Sequence, residues 1–148
     1  STRALSSAAS DVYKRQPRHC ENAKKVAEYL KNNEKITWVK CAMLDDDSQH
    51  EIAMKYMPNG TCGVVSFGIK GGREAATVFM DSLKLAAIVT HVADARTCCL
   101  HPASTTHRQL TDKELEECGV TPDLLRFSCG IEDADDIIED IQQALDKI

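Results

Sequence analysis

Arg126 stands in the middle of PDLLRFSCGIED (122–133), where Leu124, Leu125, Phe127, Cys129 and Ile131 predict a buried strand. A guanidinium in such a setting needs an anion, because stripping one partner from a buried ion pair costs about 3–5 kcal/mol. Arg126 and Ser128 fall on one face of the strand, and Leu125, Phe127 and Cys129 on the other. Two anions are open to Arg126 at this point. One is a resident Asp or Glu in a structural salt bridge. The other is a ligand carboxylate gripped at two points, which the planar fork of arginine can do and a lysine cannot.

Other residue sets compete for a chemical role. His91, His101 and His107 lie close in sequence, but spacings of ten and six across a proline loop do not match a zinc pair on one helix, so no metal site is assigned. Cys98 or Cys99 beside His101 could form a nucleophile pair, but a reactive thiolate needs an accessible electropositive niche and structural burial is the preferred reading. GIKGGREAA places glycines before a helix, yet fits neither phosphate-loop pattern and reads as a strand-to-helix turn. No residue is assigned a catalytic role.

The elements that must position these residues follow from periodicity. Ala23, Val26, Ala27 and Leu30 predict a helix over 18–33, and ITWVKC (36–41) alternates as a strand. HEIAMKYM is a short helix stopped by Pro58-Asn59-Gly60, and CGVVSFGIK (62–70) is a strand. REAATVFMDSLKL puts Ala75, Ala76, Phe79 and Leu83 on one helical face. AAIVTHVADARTCCLHP predicts a strand over 87–93 and extended chain through 100, with adjacent Cys98 and Cys99 facing opposite ways. Thr111 and Glu114 form a capping-box signature, and Gly119 is placed to end that helix. The last helix opens on Glu132, Asp133, Asp135 and Asp136, suited to a helix N-terminus, and buries Ile137, Ile138, Ile141, Ala144, Leu145 and Ile148. The expected fold class is α+β: a small, mostly antiparallel sheet of about four strands with helices on one face.

Composition narrows the function. The 148 residues suffice for one core, at 43% hydrophobic and 28% charged. A net charge of −5 argues against a nucleic-acid partner, which would want a clustered basic face. No apolar run reaches the roughly 20 residues that span a bilayer, so no membrane partner is expected. Seven cysteines, an odd number without a C-x-x-C pair, point to reduced thiols and a cytoplasmic location. Residues 1–16, STRALSSAASDVYKRQ, lack an apolar period; LSSAASDVYKRQ resembles a translated sequencing-adapter scar, so 1–16 is set apart as a non-native or loose tail and 17–148 as the domain.

THVADARTCCLHPASTTHRQL followed by TPDLLRFSCGIEDADDIIEDIQQAL resembles the C-terminal end of the Cys/Met-metabolism pyridoxal-phosphate enzymes. HPAS-x-TH and R-x-S-x-G-[IL]-E carry the resemblance to the superfamily. The longer string, with RHCENAKKVAEYL, ITWVK and GVVSFGIKGGREAA in order, is similar to its O-acetylhomoserine sulfhydrylase branch. The resemblance covers about residues 17–148. It implies the C-terminal small domain of fold-type I pyridoxal-phosphate transferases, with pyridoxal 5′-phosphate held on a lysine of a larger N-terminal domain. By resemblance Arg126 holds the α-carboxylate of an amino-acid substrate, O-acetylhomoserine, and Thr106 lines the same pocket. Many superfamily members have Ser or Asn, then Leu or Val, then Gly, where this chain has His91, Val92 and Ala93; His91 takes the position that orients the carboxylate.

The activity implied is replacement of acetate by sulfide or methanethiol in a parent expected to be a homotetramer. The chain reads as a fragment of it that lacks the cofactor lysine, is inactive alone and shows an apolar patch where the large domain would pack. Cystathionine γ-synthase and methionine γ-lyase share the arginine and remain open, as does a stand-alone amino-acid-binding module of another class.

Overall fold

In the computed structural model of the protein, residues 14–148 are described; most of the stretch read as a tail, 1–13, lies outside them. Helix α1 (Gln16–Lys31) begins two residues earlier than its apolar spacing predicts. Strand β1 (Ile36–Lys40), helix α2 (His50–Tyr56), strand β2 (Val64–Ile69) and helix α3 (Gly72–Ser82) follow. Strand β3 (Ala87–Ile88), strand β4 (Cys98–Leu100), a 3₁₀ turn (Pro102–Ser104), helix α4 (Asp112–Glu117), strand β5 (Leu124–Ser128) and helix α5 (Ala134–Leu145) complete the order.

The sheet has five strands in the order β1-β2-β5-β4-β3, where about four were expected. The extra strand comes from the segment read as continuous from 87. After Ile88 the chain leaves the sheet, with Val89 N–H closing a tight turn on Ala87 O (3.1 Å), and returns only at Cys98. The predicted strand over 87–93 is therefore two residues long. Strands β3 and β4 pair in parallel, and every other pairing is antiparallel.

One face of the sheet is the core. Val65, Phe67 and Ile69 of β2 and Leu125 and Phe127 of β5 alternate onto it, joined by Cys99 of β4. Helices α1, α3 and α5 cover that face with Val26, Leu30, Phe79, Ile137 and Ile141. Phe67 meets Phe79 edge-on at 6.0 Å and Phe127 at 6.4 Å between ring centroids. Each fully buried side chain of this size contributes about 1.5–3 kcal/mol of burial. The opposite face carries Val64, Ser66, Arg126, Ser128, Cys98 and Leu100, as the register sets Arg126 between Ser66 and Leu100 and Ser128 between Val64 and Cys98.

Local signals act where expected. Thr111 and Glu114 close their capping box reciprocally, and Gly119 follows α4 at φ +74°. Asp133 caps α5 by accepting from Asp135 N–H (3.0 Å).

Candidate substrate-carboxylate site

Strand β5 projects Arg126 from the sheet's uncovered face. The side chain is half-buried. Its Nη2 donates to Thr90 O at 2.8 Å, while Nε is buried with no hydrogen-bond partner. Among the described residues no Asp or Glu pairs with it; the arginine–carboxylate pairs there engage Arg18 and Arg73. Among the described residues the guanidinium therefore meets one neutral carbonyl and no counter-ion, which leaves N–H groups not spent on that carbonyl. Ser128, two residues along the same face, is also buried with its hydroxyl unpaired.

The acceptor carbonyl belongs to the loop 89–97, which carries His91. His91 is exposed, with Nδ1 3.3 Å from Asp94 Oδ2. The Arg96 amide (3.0 Å) and His91 together hold the Asp94 carboxyl below its ordinary range. Thr106 is exposed, just past the 3₁₀ turn, and its hydroxyl lies 2.9 Å from His107 Nδ1. The structure thus joins Arg126 directly to the loop bearing His91. It brings the HPAS segment beside β5, but neither His91 nor Thr106 hydrogen-bonds Arg126.

Two groups of residues to which the sequence assigned no role in this site build its frame. The Glu132 carboxylate accepts from Thr97 N–H (2.7 Å) and from Thr97 Oγ1 (2.8 Å), and Thr97 Oγ1 accepts from Gly130 N–H (2.9 Å). Ile131 N–H donates to Ala95 O (2.9 Å). A Cβ on Gly130 would be driven into Glu132 Oε2, Ala95 O and Thr97 N, so only glycine admits this approach. Helix α1 secures the other side: Asn22 Nδ2 donates to Gly130 O (3.0 Å) and Glu132 O (2.9 Å), and His19 Nδ1 lies 2.7 Å from Cys129 O. The Glu in R-x-S-x-G-[IL]-E was the signal available for this clasp.

The second group holds the HPAS segment. Buried His101 places Nε2 2.8 Å from Pro122 O and Nδ1 2.8 Å from Ser104 Oγ. A carbonyl only accepts, so Nε2 carries the proton and Nδ1 accepts from the serine. Burial lowers the His101 pKa. Arg73 Nη1 donates to Ala103 O (2.8 Å) and Nη2 pairs with Asp112, which ties the glycine turn before α3 to the same segment. These bonds make His101 a structural anchor. The cysteines beside it are equally unsuited to nucleophilic work: burial pushes the thiols of Cys98 and Cys99 up, away from thiolate.

A cleft of about 750 Å³ opens beside the loop, lined in part by Pro17, Cys20, Cys62, Val64, Val92 and Ala93. It reaches the strand position opposite Ser128, but Arg126 does not line it. Ala93 has φ +57°, the left-handed region, at the position where the superfamily pattern has glycine. Val92 and Ile131 are exposed apolar side chains on the segments that the Glu132 clasp joins.

The model of the Cys/Met metabolism PLP-dependent enzymes matches residues 12–146. The chain belongs to that family. The match begins within the stretch read as a tail. Homocysteine synthase of Schizosaccharomyces pombe is 46% identical over 132 residues, covering 89% of this chain and 31% of that protein. O-acetyl-L-homoserine sulfhydrylase of Leptospira meyeri is 45% identical over 135 residues, 90% of this chain and 30% of that protein. A solved structure of a putative O-acetylhomoserine (thiol)-lyase from Campylobacter jejuni, which contains N′-pyridoxyl-lysine-5′-monophosphate, superposes with a TM-score of 0.85 at 34% identity, over 92% of this chain and 32% of that one. The chain therefore spans about a third of the length of the relatives it matches. The α+β arrangement is that of a small subdomain of a fold-type I pyridoxal-phosphate enzyme.

The family's cofactor needs an amine in an enclosed site. Among the described residues Lys35 is half-buried, but its Nζ is spent on Leu145 O (2.8 Å) and Ile148 O (3.0 Å); the other lysines are exposed. These residues do not fit the anchoring of pyridoxal phosphate. Arg126, by contrast, is a half-buried cation whose guanidinium bonds only the Thr90 carbonyl among the described residues. No helix among the described residues is long and apolar enough to cross a membrane.

Proposed function

We propose that the full-length protein is a pyridoxal-phosphate-dependent O-acetylhomoserine sulfhydrylase, which replaces acetate by sulfide or methanethiol to give homocysteine or methionine, and that this chain is its substrate-clamping portion. The cofactor is then held by parts of the protein outside this chain, and the chain alone is inactive. The observation that carries the reading is the guanidinium of Arg126: half-buried, free of any resident carboxylate among the described residues, and with Nε unpaired. The names of the similar proteins support the substrate, since two name O-acetylhomoserine and the third homocysteine.

In this reading pyridoxal phosphate supplies the electron sink for chemistry at the substrate's α carbon. The residues of this chain bind and orient. Arg126 receives the α-carboxylate on N–H groups not spent on Thr90 O, and so fixes the rotation of the substrate about its α carbon. Thr106 and His91 line the same pocket from the HPAS segment and the loop. In this reading His91 approaches the carboxylate from the loop whose Thr90 carbonyl meets Arg126.

The test is Arg126→Ala in the full-length, cofactor-loaded enzyme. A two-point charge-assisted contact is worth about 3 kcal/mol, so KM for O-acetylhomoserine should rise roughly 100-fold. Arg126→Lys should recover little of it, because an ammonium lacks the planar fork. A soluble, folded Arg126→Ala enzyme with unchanged KM overturns the reading.

A further inference from the structure

The site described so far contains a carboxylate that touches neither ligand nor guanidinium. Glu132 spends both oxygens on Thr97, the residue at which the loop 89–97 returns to β4. The loop's outward end is fixed by Ala87 N–H donating to Thr97 O (2.9 Å), and its inner side by Ile131 N–H on Ala95 O. Between these ties lies Thr90, whose carbonyl is the hydrogen-bond partner of Arg126. Arg126, mid-way along β5, and Glu132, four residues past its end, lie six positions apart in sequence and bond residues at opposite ends of one loop. If the Thr97 end moves, the Thr90 carbonyl moves with it, and the guanidinium loses the contact that sets its rotation.

We propose that Glu132 is a positioning residue for the Arg126 clamp. It acts through Thr97 and the loop, and so sets affinity for the substrate carboxylate without touching it. This rests on the clamp reading given above. Three features separate the role from generic stabilisation. The carboxylate contacts the loop's terminus and not the core. Gly130 is kept free of a side chain so that the carboxylate, Ala95 O and Thr97 N can converge. The hydroxyl of Thr97 relays the tie back to Gly130, two residues beyond Ser128 on the arginine's own strand line.

The experiment compares Glu132→Gln and Thr97→Val in the full-length, cofactor-loaded enzyme, each alone and combined with Arg126→Ala. Thr97→Val removes the relay hydroxyl at constant shape, which keeps the test alive should Glu132→Gln fold poorly. Losing one charge-assisted bond predicts KM for O-acetylhomoserine up roughly tenfold with kcat held within about twofold. In the Arg126→Ala background the same substitutions should add almost nothing. A second readout uses hydrogen exchange of the full-length enzyme: in Glu132→Gln the Ile131 amide, which donates to Ala95 O, exchanges faster with solvent. An unchanged KM in both variants overturns the inference, as does an equal KM increase with and without Arg126. An Arg126→Ala enzyme with normal KM refutes the clamp itself, which distinguishes that failure from this one.

Discussion

Replacing Asp140 should destabilise the fold more than any surface carboxylate would. Asp140 lies on α5 between Ile137 and Ile141, which face the core, and is 6% exposed. Its Oδ1 accepts from Lys84 N–H (2.8 Å), and its Oδ2 from Leu85 and Ala86 N–H (both 3.0 Å). These amides belong to the chain between α3 and β3, where neither a helix nor a sheet ladder supplies acceptors. Hydrogen bonds to a charged group are worth about 1.5–3 kcal/mol each, but the carboxylate's own desolvation offsets part of the sum. Asp140→Ala leaves the three amides unpaired, at about 1–3 kcal/mol for each that water cannot reach, and so costs about 3–5 kcal/mol. Asp140→Asn keeps one acceptor oxygen but turns an NH₂ group toward an amide donor, for about 2 kcal/mol. Against a total of roughly 5–15 kcal/mol, both losses are readable by equilibrium urea unfolding. Hydrogen exchange should show Leu85 and Ala86 losing protection first. A loss below about 0.5 kcal/mol for Asp140→Asn would refute the claim that this carboxylate holds the loop.

The remaining predictions concern the loop and its neighbour. Ala93→Gly should stabilise the chain by about 1 kcal/mol, because an L-residue at φ +57° carries a strain that glycine does not. A thermal melt should rise by about 3 °C, and an unchanged or lower midpoint would remove strain as a property of this loop. His101 is buried and neutral, and burial lowers its pKa from the ordinary value of 6.5. Below pH 6.5 the unfolded chain therefore takes up a proton that the folded chain resists. Stability should fall with pH from 6.5 down to the depressed folded value, by up to about 1.4 kcal/mol per pH unit, and His101→Gln should remove that slope. Urea midpoints measured from pH 7.5 to 5 check the sign; rising stability on acidification would contradict it.

The sequence was most legible where the interaction is local. The Thr111–Glu114 box, the Asp133 cap and the apolar stripe of α5 are contacts within three or four residues, and periodicity encodes them directly. The alternation that put Arg126 and Ser128 on one face and Phe127 on the other is equally local, and the register bears it out. Cys98 and Cys99 divide as neighbours in a strand must: Cys99 joins the core, while Cys98 lies opposite Ser128. The failures share the opposite cause. AAIVTH looks like a strand because Ile88 and Val89 favour one, but the chain bends out at Val89. What holds the bend comes from Asp140, Glu132 and Arg126, more than thirty residues away in sequence. No window of residues 87–97 contains those partners. The same long-range ties leave β3 as a two-residue strand, which brings the sheet from the four or so expected to five.

That division bears on how the site works. Arg126 sits on a strand braced from both sides, by Ser66 of β2 and Leu100 of β4, so its backbone has little freedom. The loop that meets its guanidinium has no secondary structure of its own between Ile88 and Cys98. Had a resident aspartate paired with Arg126, the charge would be neutralised and a ligand carboxylate would have to displace it, forfeiting most of the gain. A backbone carbonyl orients the fork without neutralising it. The positive charge stays unneutralised, and on the proposed clamp reading the guanidinium N–H groups not spent on Thr90 O meet the substrate's carboxylate. If the clamp operates as proposed, ties such as Glu132–Thr97 and Asp140 with its three amides fix the carbonyl's position in advance, so that ordering cost is met on folding and not on binding. On the proposed reading the specificity of the clamp is distributed: a strand paired on both sides presents the charge, and a loop held by distant carboxylates sets its direction.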